Sequence, residues 1–341
     1  MLETLKTLCT LDGTSGREED VRNYIISRIE GKCEYTVDPL GNILAFKKGA
    51  NVPKNKVMLS AHMDEVGFIV TYITDDGYIK FATVGGIDSK VIAGRTVKFS
   101  QSKKPVYGVI GLKAVHLIEN SEKGKVPSVS QMCIDIGASS KEEAEKYVSI
   151  GDSAYFVSSA QEFGDNKFKA KAIDDRFGCS VLIKMIETVL PYDAHFAFLV
   201  QEEVGLRGAG SAAYTIKPDY AIVLESTTAA DVAGVHGADC VCKLGSGAVV
   251  SFMDRSTVYN HEMFKGAFEI AKKNSIACQA KTMVAGGNDA GAIHKSCGGV
   301  KTITVSLPCR YIHSGTSVAD KRDMKSCADL AVALYEEYAN A

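Results

Sequence analysis

The chain has 341 residues, 46% of them hydrophobic and 23% charged, with a formal net charge of −2. That is enough chain for one large or two ordinary domains with a sizeable core. The charge balance offers no footing for nucleic acid or an anionic membrane surface. No run approaches the roughly 20 apolar residues needed to span a bilayer. The opening MLETLKTLCTLDGTSG has no basic segment followed by an apolar stretch and a small-residue cleavage site, so no secretion signal is expected. Ten scattered cysteines, of which only Cys240 and Cys242 are close and neither at structural-zinc spacing, predict reduced, mostly buried thiols in a cytosolic protein.

Ser15 stands three residues ahead of Glu18, a capping-box spacing, and Val21, Tyr24, Ile25 and Ile29 follow at helical intervals. Short strands are expected at CEYTVD, NILAFKK and KVMLSAH. From Thr71 to Gln161 the texture changes to alternating stretches (GYIKFATV, GRTVKFS, PVYGVIG, SAYFVSS) cut by DDG, GG, SKK and GD turn signals. Only KEEAEKYV reads as a helix there. Beyond Gln161, FKAKAI leads into a helical run carrying Phe177, Val181, Leu182, Met185, Ile186 and Val189. The apolar runs HFAFLV, YAIVLE and VKTITVSL then alternate with helical stretches near 260–273 and 322–338. The expected fold class is α/β: a three-layer sandwich with a mostly parallel, mixed central sheet built from residues 1–70 and 162–341. Residues 71–161 form an inserted, small β-rich domain in this reading.

Each core strand candidate is followed by a metal-ligating or acidic side chain. KVMLSA precedes His62, with Asp64 two residues on; FKAKAI precedes Asp174–Asp175; HFAFLVQ precedes Glu202–Glu203; YAIVL precedes Glu225; and VKTITVSLPCRYI precedes His313. The carboxyl edge of an α/β sheet is where ligand sites are built, so parallel strands would bring these groups together. Taken singly, each has a bland reading: a surface histidine, a solvated acidic turn, a helix cap. Solvated turns have no reason to select His or acid after five apolar strands. A mixed nitrogen–oxygen set suits zinc, cobalt or manganese better than calcium or magnesium, and it holds more donors than one tetrahedral ion needs. Two ions sharing a carboxylate is the natural arrangement. Adjacent side chains on extended backbone point oppositely, so one of Glu202 and Glu203 can bind metal while the other serves as general base. His116, His195, His236, His261 and His294 lack this strand-end context and are read as structural or surface residues. GGNDAGA is read as a loop near the cleft, with Asn288 or Asp289 capping a helix.

AHMDEVGF, AIDDRFG, VQEEVGLRGA and RYIHSGTS, in that order, resemble the glutamyl-aminopeptidase-type metallopeptidases that assemble as tetrahedral (TET) dodecamers, some of which carry an endoglucanase name. The resemblance covers nearly the whole chain, including VGGIDSKVIAGRTV and IDIGASSKEEAEKYVSIGD in the insert. It implies an aminopeptidase acting on short peptides with two divalent ions, zinc or cobalt, per subunit. It implies that His62 and Glu225 bind one ion, that Glu203 and His313 bind the other, and that Asp174 bridges them. It also implies Glu202 as general base, Asp64 as hydrogen-bond partner of the His62 ring, and a cis Asp174–Asp175 peptide. The insert would be a dimerisation domain, with dimers assembling into a dodecamer. The sequence departs from the family pattern at Glu225, where Asp is usual, at Asn288, where Thr is common, and at Gly315, where Pro is usual. Glu225 keeps open a carboxypeptidase or deacylase using the same ions. A shell or binding protein without activity is the non-enzymatic alternative; a glycosidase would leave the two histidines without a role.

Overall fold

The computed structural model describes residues 1–100, 104–117 and 124–341. The β-branched and aromatic runs form a sheet of 11 strands whose centre is four adjacent parallel strands, in the order Ala194–Leu199, Val57–His62, Tyr220–Thr228 and Lys301–Arg310. Ile43–Lys47 and Glu34–Val37 extend it antiparallel on one side. On the other side lie Ser317–Asp320, Lys167–Ala170 and Gln161–Phe163, each antiparallel to its neighbour. Two inversions give Lys167–Ala170 the same direction as Lys301–Arg310. Two short strands, Ala248–Val250 and Cys278–Ala280, branch from Lys301–Arg310.

Successive residues on a strand face opposite sides, and the two faces have separate apolar cores. Leu59, Phe196, Phe198, Ile222 and Leu224 pack in one cluster with the helices Leu2–Leu8, Glu19–Ile29, Ile173–Ile186 and Lys321–Ala339. Met58, Ala197, Leu199, Ala221 and Val223 pack in another with Arg207–Ile216 and Ala290–Ile293. Both sides of the central strands are thus covered, which is why those runs read as continuously apolar. No helix among the described residues is long and apolar enough to cross a membrane.

The strands between 67 and 156 close into a six-stranded barrel, in the order Gly67–Ile73, Ile79–Val84, Cys133–Asp135, Val106–Gly111, Thr96–Phe99 and Ser153–Phe156. It has its own core, in which Phe68 meets Phe81 and Phe156 edge-on at centroid distances of 5.1 and 5.0 Å. The helix expected at KEEAEKYV is confined to Lys141–Ala144, with the Ser140 hydroxyl accepting the Glu143 N–H at its start.

Three local expectations are corrected. The Ser15/Glu18 capping box does not form: the helix Glu19–Ile29 has no side-chain cap. The Ser15 hydroxyl donates instead to Asp64 Oδ2 (2.6 Å), and Glu18 Oε1 accepts N–H groups from Gly16 (2.8 Å) and Gln201 (3.2 Å). Glu225 does not follow its strand but lies within Tyr220–Thr228, as its sixth residue. The strand expected at FKAKAI ends at Ala170, and Ile173 already opens the next helix. In each case tertiary hydrogen bonding or strand pairing overrides the local pattern.

Candidate metal centre

Strand register determines which side chains meet. Val223 pairs with Ser60 in the parallel ladder, so two residues on, Glu225 and His62 lie side by side at the same level and on the same face. The measured consequence is a His62 Nε2 to Glu225 Oε1 distance of 3.5 Å. Asp174 comes from the opposite flank, at the first turn of Ile173–Ile186, where its backbone is non-helical and the Asp174–Asp175 peptide is cis. His313 sits at φ +55° in the turn between Lys301–Arg310 and Ser317–Asp320.

Asp174 stands between the two imidazoles. Its Oδ1 lies 3.5 Å from His62 Nε2 and its Oδ2 lies 3.4 Å from His313 Nε2. Glu203 Oε2 completes the second group at 3.6 Å from His313 Nε2. Two triplets result, His62–Asp174–Glu225 and Asp174–Glu203–His313, each with its donor atoms within 4.8 Å of one another. Both share Asp174. Glu202 belongs to neither triplet but lines the same cleft of about 320 Å³, together with Asp174, Glu225, Asn288 and His313. Six of the residues singled out from the sequence therefore lie in one place.

Asp64 is a hub behind them. Its side chain is fully buried; Oδ1 accepts the Glu202 N–H (3.0 Å) and Oδ2 accepts the Glu203 N–H (3.1 Å). His62 Nδ1 has the Asp64 carbonyl oxygen at 3.1 Å and the Asp64 carboxylate at 3.4 Å. Either acceptor places the ring proton on Nδ1 and leaves Nε2 as the donor atom facing Asp174. On the other side, His313 Nδ1 lies 2.9 Å from the carbonyl oxygen of Gly86, a residue of the barrel. That contact leaves Nε2 of His313 free in the same way.

The electrostatics are those of a site short of positive charge. Burial pushes Glu202 and Glu225 well above the usual carboxylate range, helped by Asp289 and Asp174 respectively. Burial, with Asp174 nearby, pushes Glu203 up to about 7. Asp174 is buried too, but His313 and His62 more than offset that and hold it below the usual range. His62 is likewise buried, which alone would lower it; the carboxylates of Asp174, Asp64 and Glu225 hold it well above its ordinary value. Asp174 Oδ1 and Glu225 Oε2 are buried with no hydrogen-bond partner among the described residues. Buried acceptors rarely stay unpartnered, and a cation between the facing donor atoms would satisfy both. The residues present therefore fit divalent metal ions.

Sequence reasoning missed several groups that shape the site. Gly85, at φ +81°, lies so close that a Cβ there would stand 3.2 Å from Glu203. Lys171 and Arg176, on either side of Asp174–Asp175, are buried: Lys171 Nζ meets Glu65 Oε1 at 2.5 Å, and Arg176 donates to the carbonyl oxygens of Met63 and Leu8, both at 2.7 Å. Two basic residues flanking a buried acid pair is a signal the sequence did offer. Asn288, read as a cap, accepts the Ala290 N–H at 2.9 Å.

Comparison with known proteins gives matches in both sequence and fold. A family model for the M42 glutamyl aminopeptidases matches residues 41–330. A putative aminopeptidase of Acetivibrio thermocellus is 42% identical over 336 residues, covering 97% of each chain. The solved structure of aminopeptidase APDkam598 from the archaeon Desulfurococcus kamchatkensis superposes with a TM-score of 0.93 at 35% identity, covering 98% of this chain and 94% of that one. The TET1 peptidase of Pyrococcus horikoshii, which can assemble into a tetrahedron or a large octahedral shell, superposes with a TM-score of 0.85 at 35% identity, covering 97% and 98%.

Proposed function

The chain belongs to the M42 glutamyl aminopeptidase family, and from that premise we propose that it is a two-metal aminopeptidase removing residues from the free N-terminus of short peptides. The observation that carries the reading is the position of Asp174, whose two oxygens face two imidazoles from different strands. His62 and Glu225 would hold one divalent ion and Glu203 and His313 the other, with Asp174 shared; the mixed donors favour zinc or cobalt. Bound there, the ions would supply Lewis-acid polarisation of the scissile carbonyl and acidify water.

The chain's own groups do the rest. Glu202 lines the cleft without joining either triplet, so its carboxylate is free to take a proton from the attacking water as the oxygen bonds to the carbonyl carbon. When the C–N bond breaks, the same carboxyl returns that proton to the departing amine nitrogen. Asp64 anchors the turn that carries both glutamates by accepting both of their backbone N–H groups.

Residues 71–161 are proposed as an inserted domain through which two copies meet, and 1–70 with 162–341 as the catalytic part, helices on both faces supporting a three-layer arrangement. Tyr107, Val109, Leu117 and Val126 of this segment are exposed apolar side chains that a second copy would cover. A dodecamer of such dimers is the proposed assembly.

Hydrolysis of L-amino-acid p-nitroanilides by protein loaded with zinc or cobalt tests the activity. Peptides with a free N-terminus should be cleaved and their N-acetylated counterparts should not. Cleavage confined to blocked N-termini would replace this reading with a carboxypeptidase or deacylase; no cleavage by a metal-loaded protein would leave a binding shell.

A further inference from the structure

The capping box that fails to form has a second use. We propose that Glu18 is a positioning residue for the turn that delivers Glu202 and Glu203, acting through the backbone of Gln201. The inference deepens the aminopeptidase reading and rests on it for its kinetic consequence.

Gln201 joins the strand Ala194–Leu199 to the glutamate pair and sits at φ +57°, a conformation that an L residue adopts only when its surroundings hold it there. Three successive N–H groups of this turn have carboxylate acceptors. Gln201 N–H donates to Glu18 Oε1 (3.2 Å), Glu202 N–H to Asp64 Oδ1 (3.0 Å) and Glu203 N–H to Asp64 Oδ2 (3.1 Å). Asp64 is itself a neighbour of His62. Glu18 is not: it comes from the segment before Glu19–Ile29 and is only 3% exposed.

That segment is strapped to the site rather than to its own helix. Thr14 forms a parallel bridge with Glu65, Glu65 N–H donates to the Gly13 carbonyl (2.9 Å), and the Ser15 hydroxyl donates to Asp64 Oδ2 (2.6 Å). Glu18 Oε1 also takes the Gly16 N–H (2.8 Å), which fixes the carboxylate before it reaches Gln201. A buried acceptor committed to the backbone of a base-bearing turn, and not to any cap or cation, has positioning as its use. Both N–H groups go to one oxygen, so glutamine can replace glutamate while alanine cannot.

The test compares Glu18→Ala, Glu18→Asp and Glu18→Gln in two measurements. Amide hydrogen exchange of the metal-free protein should quicken about tenfold or more over 200–206 in Glu18→Ala and Glu18→Asp, be restored in Glu18→Gln, and stay unchanged over 19–29 in all three. In the metal-loaded protein, using whichever of the Glu, Lys and Leu p-nitroanilides is cleaved fastest, kcat should fall about tenfold or more in Glu18→Ala with KM within about threefold, and recover in Glu18→Gln. Glu18→Asp keeps the test open if Glu18→Ala does not fold. Unchanged exchange over 200–206, faster exchange over 19–29 instead, or a Glu18→Gln variant as impaired as Glu18→Ala would each overturn the proposal. Wild-type protein that cleaves no anilide would sink the aminopeptidase reading, and the exchange comparison would still decide whether Glu18 holds the turn.

Discussion

The ring of His313 is held by a residue of the barrel: Nδ1 lies 2.9 Å from the Gly86 carbonyl oxygen, while Nε2 faces Asp174 at 3.4 Å. The barrel therefore supplies a wall of the candidate metal centre as well as an exposed surface. Gly85, next to it, is at φ +81°, and a Cβ there would stand 2.8 Å from Val66 Cγ1 and 3.2 Å from Glu203. Gly85→Ala is expected to cost about 1–2 kcal/mol from the left-handed backbone alone. It should also lower kcat/KM by about tenfold or more by displacing Glu203. Urea denaturation and anilide kinetics on metal-loaded protein check both; an unaltered kcat/KM would show that the barrel contact is passive.

Removing a ligand and removing the base should have separable signatures. Asp174→Asn takes one charge from the group shared by both triplets and is expected to lower the metal content of purified protein. Glu202→Gln lies outside both triplets and should retain its metal while kcat falls by about 10²–10⁴-fold. Elemental analysis alongside turnover distinguishes them. Near-normal turnover in a metal-replete Glu202→Gln would remove the general-base role.

Metal should also stabilise the fold, because the crowded buried carboxylates repel one another without it. An ion at about 100 times its Kd adds about 2.7 kcal/mol per site. Chelation is therefore expected to lower the melting temperature, and zinc or cobalt to restore it. Calcium, an oxygen-preferring ion, should restore less. A melting temperature indifferent to chelator would argue against a resident ion pair.

Behind the site, Lys171 Nζ pairs with Glu65 at 2.5 Å, both side chains being 3% exposed. Lys171→Met strips that partner from Glu65, and from Asp12 at 3.5 Å as well, leaving the Arg176 guanidinium 3.6 Å from Glu65. Breaking a buried pair from one side costs about 3–5 kcal/mol. The double variant Lys171→Met, Glu65→Gln should recover part of that loss in guanidinium denaturation; a double variant as unstable as the single one would deny the coupling.

Away from the site, Asp323 is fully buried and accepts N–H groups from Gly245 (2.6 Å) and Gly247 (2.7 Å). Burial pushes its carboxyl up to about 6 from an ordinary 3.8, against the pull of those two donors. A raised value in the folded state means the group's favourable contribution is complete below about pH 4 and is lost as pH rises through about 6. Asp323→Asn does not titrate. The stability difference between wild type and variant should therefore move in the variant's favour from pH 4 to pH 7; urea midpoints at the two pH values measure it, and a constant difference would contradict the shift.

The donors of the candidate centre were legible because strand ends are a local signal. An apolar run closed by His or an acid can be read without knowing its neighbours, and parallel strands bring such ends to one edge. The capping box was misread for the same reason in reverse. Ser15 and Glu18 have the spacing of a cap, but the carboxylate of Asp64 and the N–H of Gln201, 49 and 183 residues further along, compete for them and win. Likewise the strand through Glu225 continues because its partner strand Lys301–Arg310 pairs as far as Cys309.

By itself the sequence determined the α/β class, the β-rich stretch within it and the identities of the side chains that gather at the candidate centre, since periodicity and strand-end chemistry are written in neighbouring residues. Only the tertiary structure decided that Glu225 lies level with His62, that Asp174 faces both imidazoles, and that the barrel and the segment before the second helix brace the site. Register, hydrogen-bond competition and close approach depend on distances between residues remote in the chain, and no local pattern encodes those distances.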